Sequence, residues 1–203
     1  MARKTKEEAQ ITRERILKAA LSVFSRMGYA SSTLEDVATE ANVTRGAIYW
    51  HFNNKVDLYD QLLESYAGRS QEIIQAAIAK GGNFEAILRR IFVNVLTAVE
   101  DDPVLKEVME ISLFKSEKTT DLLQIQQKML DSTQILIQGI AAAFEQAVVN
   151  GEIHSGQKAI DVARSFLAFQ NGILYLWLSD PYKFSLHQNA KTFAEIFLHG
   201  VIN

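Results

Sequence analysis

Apolar residues recur every three or four positions through nearly all of the 203 residues, which is the spacing of amphipathic α-helices. Two prolines and ten glycines interrupt this pattern, and these are too few for a β-sandwich or barrel with its frequent turns. The sequence therefore predicts an all-α fold of nine helices. We predict them at about 16–27, 33–41, 45–52, 55–80, 84–100, 103–114, 121–149, 157–179 and 186–201.

Several protein classes are disfavoured by composition. With no cysteine, the chain has no disulfide, thiol nucleophile or thiolate zinc site, and it fits a reducing compartment. No apolar segment follows the first four residues, so a secretory signal is not expected. The longest apolar stretch, 159–178, carries Asp161 and Arg164 and is predicted to be a buried helix rather than a membrane span. We expect a cytoplasmic protein without membrane partners.

Charge is distributed unevenly along the chain. The net charge is −3, but residues 1–55 hold nine Lys and Arg against six Asp and Glu, while 56–203 hold twelve against eighteen. A local basic face, rather than the total, determines whether a protein attracts phosphate. The asymmetry is modest and carries little weight alone.

Two short helices near the N-terminus form a predicted helix-turn-helix. Thr33 and Asp36 resemble a capping box, Asn42 suits the turn because it tolerates a left-handed backbone, and Thr44 caps the next helix. Apolar residues should hold both helices against the first one. These are Val37, Ala38, Val43, Ile48 and Phe52.

The second short helix then presents unusual residues on its other faces: Arg45, Gly46, Tyr49, Trp50 and His51. Exposed aromatic rings are unfavourable in water, but a helix in the DNA major groove uses such side chains on bases, sugars and phosphates. Gly46 would allow close backbone approach. In the alternative interpretation Tyr49 and Trp50 are core residues that join two domains.

Residues 33–38 (Thr-Leu-Glu-Asp-Val-Ala) and 43–58 (Val-Thr-Arg-Gly-Ala-Ile-Tyr-Trp-His-Phe-Asn-Asn-Lys-Val-Asp-Leu) resemble the DNA-binding domain of the tetracycline-repressor (TetR) family. Residues 2–10 and 45–52 resemble more narrowly the AcrR-like branch that represses multidrug efflux pumps. Asn42 occupies a turn position that often carries glycine in that family. The resemblance implies DNA contacts, largely to phosphates, from Thr33, Thr44, Arg45, Tyr49, His51 and Lys55. With Gly46 and Trp50 these form the predicted DNA-binding set.

Beyond Lys55 the sequence contains no recognisable enzyme motif, and its histidines lie far apart. We expect no catalytic residues, no metal site and no cofactor. We predict a DNA-binding domain at 1–55 and a ligand-binding and dimerisation domain at 56–203. An enzyme would require catalytic groups that the chain does not display.

An excess of large apolar residues with a few polar ones predicts a pocket for a small hydrophobic or aromatic effector. Each residue could equally be plain core, and Glu110 could bind a cation or pair with Lys115. The predicted lining is Tyr66, Ile91, Phe92, Val95, Met109, Glu110, Leu113, Ile140, Leu167, Gln170, Asn171 and Tyr175.

The last two helices look apolar on all sides, which predicts that a second copy of the chain covers them as a four-helix bundle. The resemblance implies the same. The predicted dimer interface comprises Phe166, Phe169, Ile173, Leu176, Trp177, Phe193, Phe197 and Val201.

These patterns together predict a homodimeric transcriptional repressor that binds a palindromic double-stranded DNA operator. The effector would release it, and the resemblance implies control of a multidrug efflux operon. The alternative is an all-α module that binds a small molecule and never touches DNA.

Overall fold

A computed structural model describes residues 6–115 and 119–202, and for Tyr66, Lys115 and Ile202 it describes the backbone alone. The described residues form nine α-helices and no strand, so the predicted all-α fold is confirmed. The helices are α1 (Lys6–Met27), α2 (Leu34–Glu40), α3 (Arg45–His51), α4 (Lys55–Ala79), α5 (Phe84–Asp101), α6 (Pro103–Glu110), α7 (Leu123–Val149), α8 (Ala159–Ser179) and α9 (Leu186–Ile202).

The segment between α6 and α7 differs from the prediction. A single helix was expected up to residue 114, but the α-helical pattern ends at Glu110 and continues as a π-helical turn, Ile111–Lys115. A 3-10 turn, Thr120–Leu122, then precedes α7. A π-helical turn retains a nearly helical spacing of side chains, and the apolar pattern therefore did not reveal it.

The chain divides into two compact units. The first comprises Met1–Gly68 with Val104–Ile125, and the second comprises Arg69–Pro103 with Gln126–Asn203. Compactness alone does not assign a function to either unit, so the predicted functional boundary at residue 55 stays a prediction.

The core of the first unit contains residues from both of its chain segments. Ile16, Phe24 and Ile48 are fully buried there, and Ile111 and Leu122 from the second segment belong to the same apolar cluster. The short helices α2 and α3 therefore rest on a core much larger than they could form alone, which is required because isolated helices of about two turns are unstable.

The second unit is built around phenylalanine rings from α5, α8 and α9. Phe92 lies 5.6 Å from Phe166, Phe166 lies 5.5 Å from Phe197, and Phe169 stacks on Phe197 at 6.0 Å, all between ring centroids. An ion pair between Arg89 Nε and Glu195 Oε1, 2.8 Å apart, also joins α5 to α9. None of the helices in the described residues is long and apolar enough to cross a membrane.

The predicted dimer interface requires a correction, because most of its residues are buried within one chain. Five of them form core contacts in the second unit and are under 10% exposed: Phe166, Ile173, Trp177, Phe197 and Val201. Phe169 and Phe193 are half-buried, and Leu176 alone of the eight is largely exposed. Helix α8 is thus not apolar on all sides. Its outer face carries small and polar residues together with Tyr175 and Leu176.

The N-terminus of α9 is fastened to the end of α5 by two carboxylates. Glu100 accepts hydrogen bonds from the His187 backbone N–H at 2.6 Å and from the Ser185 hydroxyl at 3.1 Å. The His187 ring Nε2 lies 2.7 Å from Asp101 Oδ1. The hydrogen bond to Asp101, together with the charges of Asp101 and Glu100, raises the pKa of His187 above its ordinary value despite partial desolvation.

We expect this His187 contact to make folding stability depend on pH. A raised pKa in the folded state stabilises the protein fully below the unfolded pKa of about 6.5, and this contribution is lost as pH rises through the folded pKa. Thermal midpoints of the wild type and His187→Gln should therefore differ most at pH 5.5 and converge by pH 8.5. A constant difference over that range would contradict the assignment.

Candidate nucleic-acid interface

Local capping interactions define the helix-turn-helix formed by α2 and α3. The Thr33 hydroxyl oxygen accepts from the Asp36 N–H at 3.1 Å, and the Asp36 carboxylate accepts from the Thr33 N–H at 2.8 Å, which completes a capping box. Asn42 adopts the predicted left-handed backbone with φ +50°, and Thr44 caps α3 by accepting from the Ala47 N–H. These contacts fix where both helices begin.

Helix α3 separates its apolar and polar faces as the sequence predicted. Ile48 is fully buried, whereas Tyr49 is 48% exposed and Trp50 is 70% exposed. Arg45 donates to the Tyr49 hydroxyl at 3.1 Å, and its guanidinium lies 5.5 Å from the Tyr49 ring centroid. The interpretation that these two rings are core residues is therefore wrong. The exposed residues form what we call the α3 outer face: Arg45, Gly46, Tyr49 and Trp50.

Gly46 has no structural need to be glycine within this chain. A Cβ atom added there would meet only the Thr44 hydroxyl oxygen, at 3.9 Å, and Gly46 lies inside a regular helix. Glycine usually weakens a helix relative to alanine. A close approach by a partner molecule would explain its presence.

The end of α3 is held by a chain of side chains from α1 and α4. Asp57 accepts from the Asn53 backbone N–H at 2.7 Å and from the Gln61 side chain at 2.6 Å. Gln61 in turn accepts a hydrogen bond from Arg13, whose guanidinium lies 5.5 Å from the Phe52 ring centroid. Partial burial opposes ionisation of Asp57, but the hydrogen bonds outweigh it and lower its pKa. This network links the residues at the end of α3 to α1 and α4.

Lys55, a predicted phosphate contact, is half-buried and directed partly towards its own chain. Its ammonium donates to the backbone carbonyls of Tyr29 and Ser32, each at 2.8 Å, and lies 4.2 Å from the Tyr29 ring centroid. Phosphate would compete with these carbonyls for the ammonium, and the DNA contact of Lys55 stays a prediction. The sequence pattern could not show these hydrogen bonds, since the partners lie 23 and 26 residues earlier.

Arg15 was missed by sequence reasoning and lies beside the turn of the motif. An open groove of about 470 Å³ is lined by Arg15 of α1 together with Asn42, Val43, Thr44 and Ala47. The Arg15 side chain is exposed. The excess of positive charge within residues 1–55 was the available signal, but it did not single out this residue.

The predicted effector-binding residues are distributed over both compact units. In the second unit Phe92, Ile140 and Gln170 are buried, and the Gln170 amide donates to the Phe92 carbonyl at 3.3 Å. Ile91, Val95 and Leu167 are half-buried. Asn171 and Tyr175 were placed wrongly on that inner side. They lie on the exposed face of α8, because successive residues of a helix are about 100° apart.

The four remaining predicted effector-binding residues belong to the first unit, and the side chain of one of them, Tyr66, lies outside the described part of the structure. Met109 is buried, and Leu113 is 45% exposed. Glu110 Oε1 lies 3.9 Å from Lys106 Nζ, and the two residues form an ion pair across one turn of α6. The predicted alternative partner, Lys115, has a side chain that is not described.

Three N-terminal helices, in which α2 and α3 form a capped helix-turn-helix and α3 exposes basic and aromatic side chains, define a DNA-binding protein. Residues 16–62 match the family of bacterial regulatory proteins described as tetR, and residues 84–202 match the C-terminal region of MAATS-type transcriptional repressors. The chain belongs to the tetR family of bacterial transcriptional regulators.

Individual relatives are similar to this protein over nearly the whole length of its chain. The transcriptional regulator AcrR of Shigella flexneri is 34% identical, over 98% of this chain and 93% of the relative. The crystal structure of NalD, a secondary repressor of the MexAB-OprM multidrug efflux pump in Pseudomonas aeruginosa, has a TM-score of 0.83 at 25% identity and covers 98% and 99% of the two chains. A complex of SmeT with triclosan has a TM-score of 0.81 at 27% identity, over 96% and 93%. SmeT is the repressor of the Stenotrophomonas maltophilia pump SmeDEF.

These relatives are transcriptional regulators, which confirms the prediction of a regulator rather than an enzyme. Among residues 6–115 and 119–202, no three His, Asp or Glu side chains are grouped closely enough to hold a metal ion.

Proposed function

We propose that two copies of this chain bind a palindromic operator, each placing the α3 outer face in the DNA major groove. The observation that carries the proposal is the separation on α3, where Ile48 is fully buried while Tyr49 and Trp50 are exposed. Two recognition helices spaced by about one turn of B-DNA, about 34–36 Å, read two half-sites on one side of the duplex. Binding to chromosomal DNA would place the protein in the cytoplasm.

Direct DNA contacts would come from the α3 outer face and from both helix caps. Arg45 is suited to a guanine edge, and the Tyr49 and Trp50 rings are suited to sugars and thymine methyl groups. Thr33 and Thr44 are exposed, and the Thr33 hydroxyl would exchange its 2.6 Å hydrogen bond to Asp36 Oδ2 for one to phosphate. Arg15 adds a positive charge beside Thr44. His51 is half-buried, and its ring centroid lies 4.6 Å from that of Trp50. His51 would orient the Trp50 ring and also approach the DNA backbone.

The C-terminal residues would bind a small lipophilic effector and form the dimer. Similarity to AcrR, NalD and SmeT supports control of a multidrug efflux operon, and the SmeT complex supports an aromatic effector such as triclosan. An effector weakens DNA binding only by the difference between its affinities for the two conformations, typically about 1–3 kcal/mol.

A DNA-binding experiment tests this function. The full chain is used to select duplexes from a random pool and is then titrated against the selected operator and a scrambled duplex at several salt concentrations. We expect a palindromic consensus, preference over the scrambled duplex, and release by triclosan. A chain that binds triclosan but retards no duplex even at low salt would instead be a small-molecule-binding module, and the proposal would fail.

Gly46→Ala should shift stability and DNA binding in opposite directions. The added methyl group has open space and favours the helix, so we expect a small gain in stability, about 0.5–1 kcal/mol. On DNA the same methyl group would lie between α3 and the duplex, so we expect operator affinity to fall severalfold. Thermal unfolding and operator titration measure the two effects. If the stabilised variant binds as tightly as the wild type, the backbone does not approach DNA at Gly46.

A further inference from the structure

The loop between α1 and α2 is fastened by side chains from two distant parts of the first unit. Lys55, the first residue of α4, donates to the carbonyls of Tyr29 and Ser32 at 2.8 Å. Asp121, in the 3-10 turn before α7, accepts from the Tyr29 hydroxyl at 3.1 Å. The Lys55 ammonium also lies 4.2 Å from the Tyr29 ring centroid. We call Lys55, Tyr29 and Asp121 the loop clamp.

Tyr29 is buried and packs against aromatic rings of α1 and α4. It is 1% exposed, and its ring centroid lies 5.9 Å from that of Phe24 on α1 and 4.9 Å from that of Tyr59 on α4. Its carbonyl also accepts from the buried Ser32 hydroxyl at 2.8 Å. Close-packed interiors transmit strain, so a displacement of this ring would reach the backbone that bears it.

The clamped loop leads directly into the DNA-binding motif. Ser32, whose carbonyl Lys55 holds, precedes Thr33, and Thr33 is the N-cap that fixes the start of α2. A change in the loop therefore changes the position from which α2 and α3 begin. No residue of the clamp needs to touch DNA for this to happen.

Asp121 belongs to the segment through which the chain leaves and re-enters the second unit. The described residues of this segment, 104–115 and 119–125, belong to the first unit, and the chain continues into the second unit at both ends of the segment. Leu122, the next residue, is 1% exposed and lies in the apolar cluster of the first unit. The Asp121 carboxylate itself is exposed, so its hydrogen bond can break without opening the core.

We propose that Asp121 is a positioning residue for operator binding, which acts through Tyr29 and Lys55 on the loop that carries Thr33. The proposal rests on the proposed DNA-binding function and adds a residue that lies far from α3 in the sequence. By its place in the chain, Asp121 would report the arrangement of segment 104–125 to the helix-turn-helix.

The negative charge of Asp121 allows a positioning role to be distinguished from a purely electrostatic one by the direction in which operator affinity changes. Asp121 is negative, and removing a negative charge from a protein that binds DNA strengthens its electrostatic attraction to phosphate. If Asp121 acted only through its charge, every variant with a neutral residue at this position would therefore bind the operator more tightly. A positioning role predicts weaker binding when the acceptor of the Tyr29 hydrogen bond is lost.

Asp121→Ala and Asp121→Asn form a matched pair, because both remove the charge but asparagine keeps a carbonyl oxygen that can accept from Tyr29. We expect operator affinity to fall about fivefold for the alanine variant, a typical coupling strength, and to fall less for asparagine. Tyr29→Phe, which removes the donor but keeps the ring and the Asp121 charge, should weaken binding at least as much as the alanine variant. The double variant, Asp121→Ala with Tyr29→Phe, should bind the operator no more weakly than Tyr29→Phe alone, since both changes break the same hydrogen bond.

Glu107→Ala serves as the charge control, because Glu107 lies in the same segment but outside the clamp. It should bind the operator as tightly as the wild type or more tightly. Thermal midpoints and the dependence of affinity on salt are measured for every variant, and the salt slope should not change because no phosphate contact is removed.

Two different failures can be separated in this design. If the full-length wild type retains no selected duplex, the proposed function itself fails. If the wild type binds but Asp121→Ala binds equally or more tightly, or if the alanine and asparagine variants bind alike, the positioning role of Asp121 is overturned while DNA binding stands.

Discussion

Tyr49→Ala is expected to reduce operator affinity by about tenfold or more while leaving the thermal midpoint nearly unchanged. The Tyr49 ring is half exposed, so its removal exposes little core, but the duplex loses an aromatic contact. Arg45 also loses the hydroxyl that orients its guanidinium. Two weakened contacts of about 1 kcal/mol each correspond to a loss of this size.

Ile48→Ala is the matched control, because Ile48 is the preceding residue on the same helix and is fully buried. It should lower stability by about 2–5 kcal/mol, as the loss of a core aliphatic side chain usually does. Tyr49→Phe separates the ring from the hydroxyl and should recover part of the affinity. Operator titration and thermal unfolding are compared for the three variants. An equal fall in thermal midpoint for Tyr49→Ala and Ile48→Ala would place Tyr49 in the core.

The helix-turn-helix could be predicted from the sequence because short-range interactions determine it. Thr33 bonds to Asp36 three residues away, Thr44 bonds to Ala47, and Asn42 needs only its own backbone conformation. The two faces of α3 follow from helical spacing once Ile48 is assigned to the core. Each of these features lies within one turn of the residues that cause it.

Contacts between distant segments could not be predicted in the same way. Lys55 bonds to the loop at Tyr29, and Asp121 bonds to Tyr29 from 92 residues away. The apolar pattern of α8 likewise indicates that many of its side chains are buried, but it does not indicate which helices bury them. Helices α5 and α9 of the same chain bury Phe166 and its neighbours, so fewer side chains remain for a second copy to cover than predicted.

The exposed residues of α8 and α9 lead to the second large expected effect. Leu176 is 63% exposed, Tyr175 is 51% exposed, and Ile196 on α9 is 59% exposed, although all three are apolar or aromatic. Such residues on the last two helices support a dimer face formed from the outer sides of α8 and α9. We therefore expect Leu176→Glu to dissociate the proposed dimer, because two carboxylates would be buried at the symmetric contact.

Dissociation should reduce operator affinity by about 100-fold or more, since each monomer would then bind its half-site without the gain from linkage to a second one. The thermal midpoint extrapolated to low protein concentration should remain near that of the wild type. Phe166→Ala should instead destabilise each chain, by about 3–5 kcal/mol. Phe166 is 2% exposed, so its truncation leaves a cavity among the phenylalanine rings of α5, α8 and α9. Sedimentation velocity with operator titration separates the two variants. A Leu176→Glu protein that sediments as a dimer and keeps its operator affinity would show that the outer side of α8 is not the dimer face.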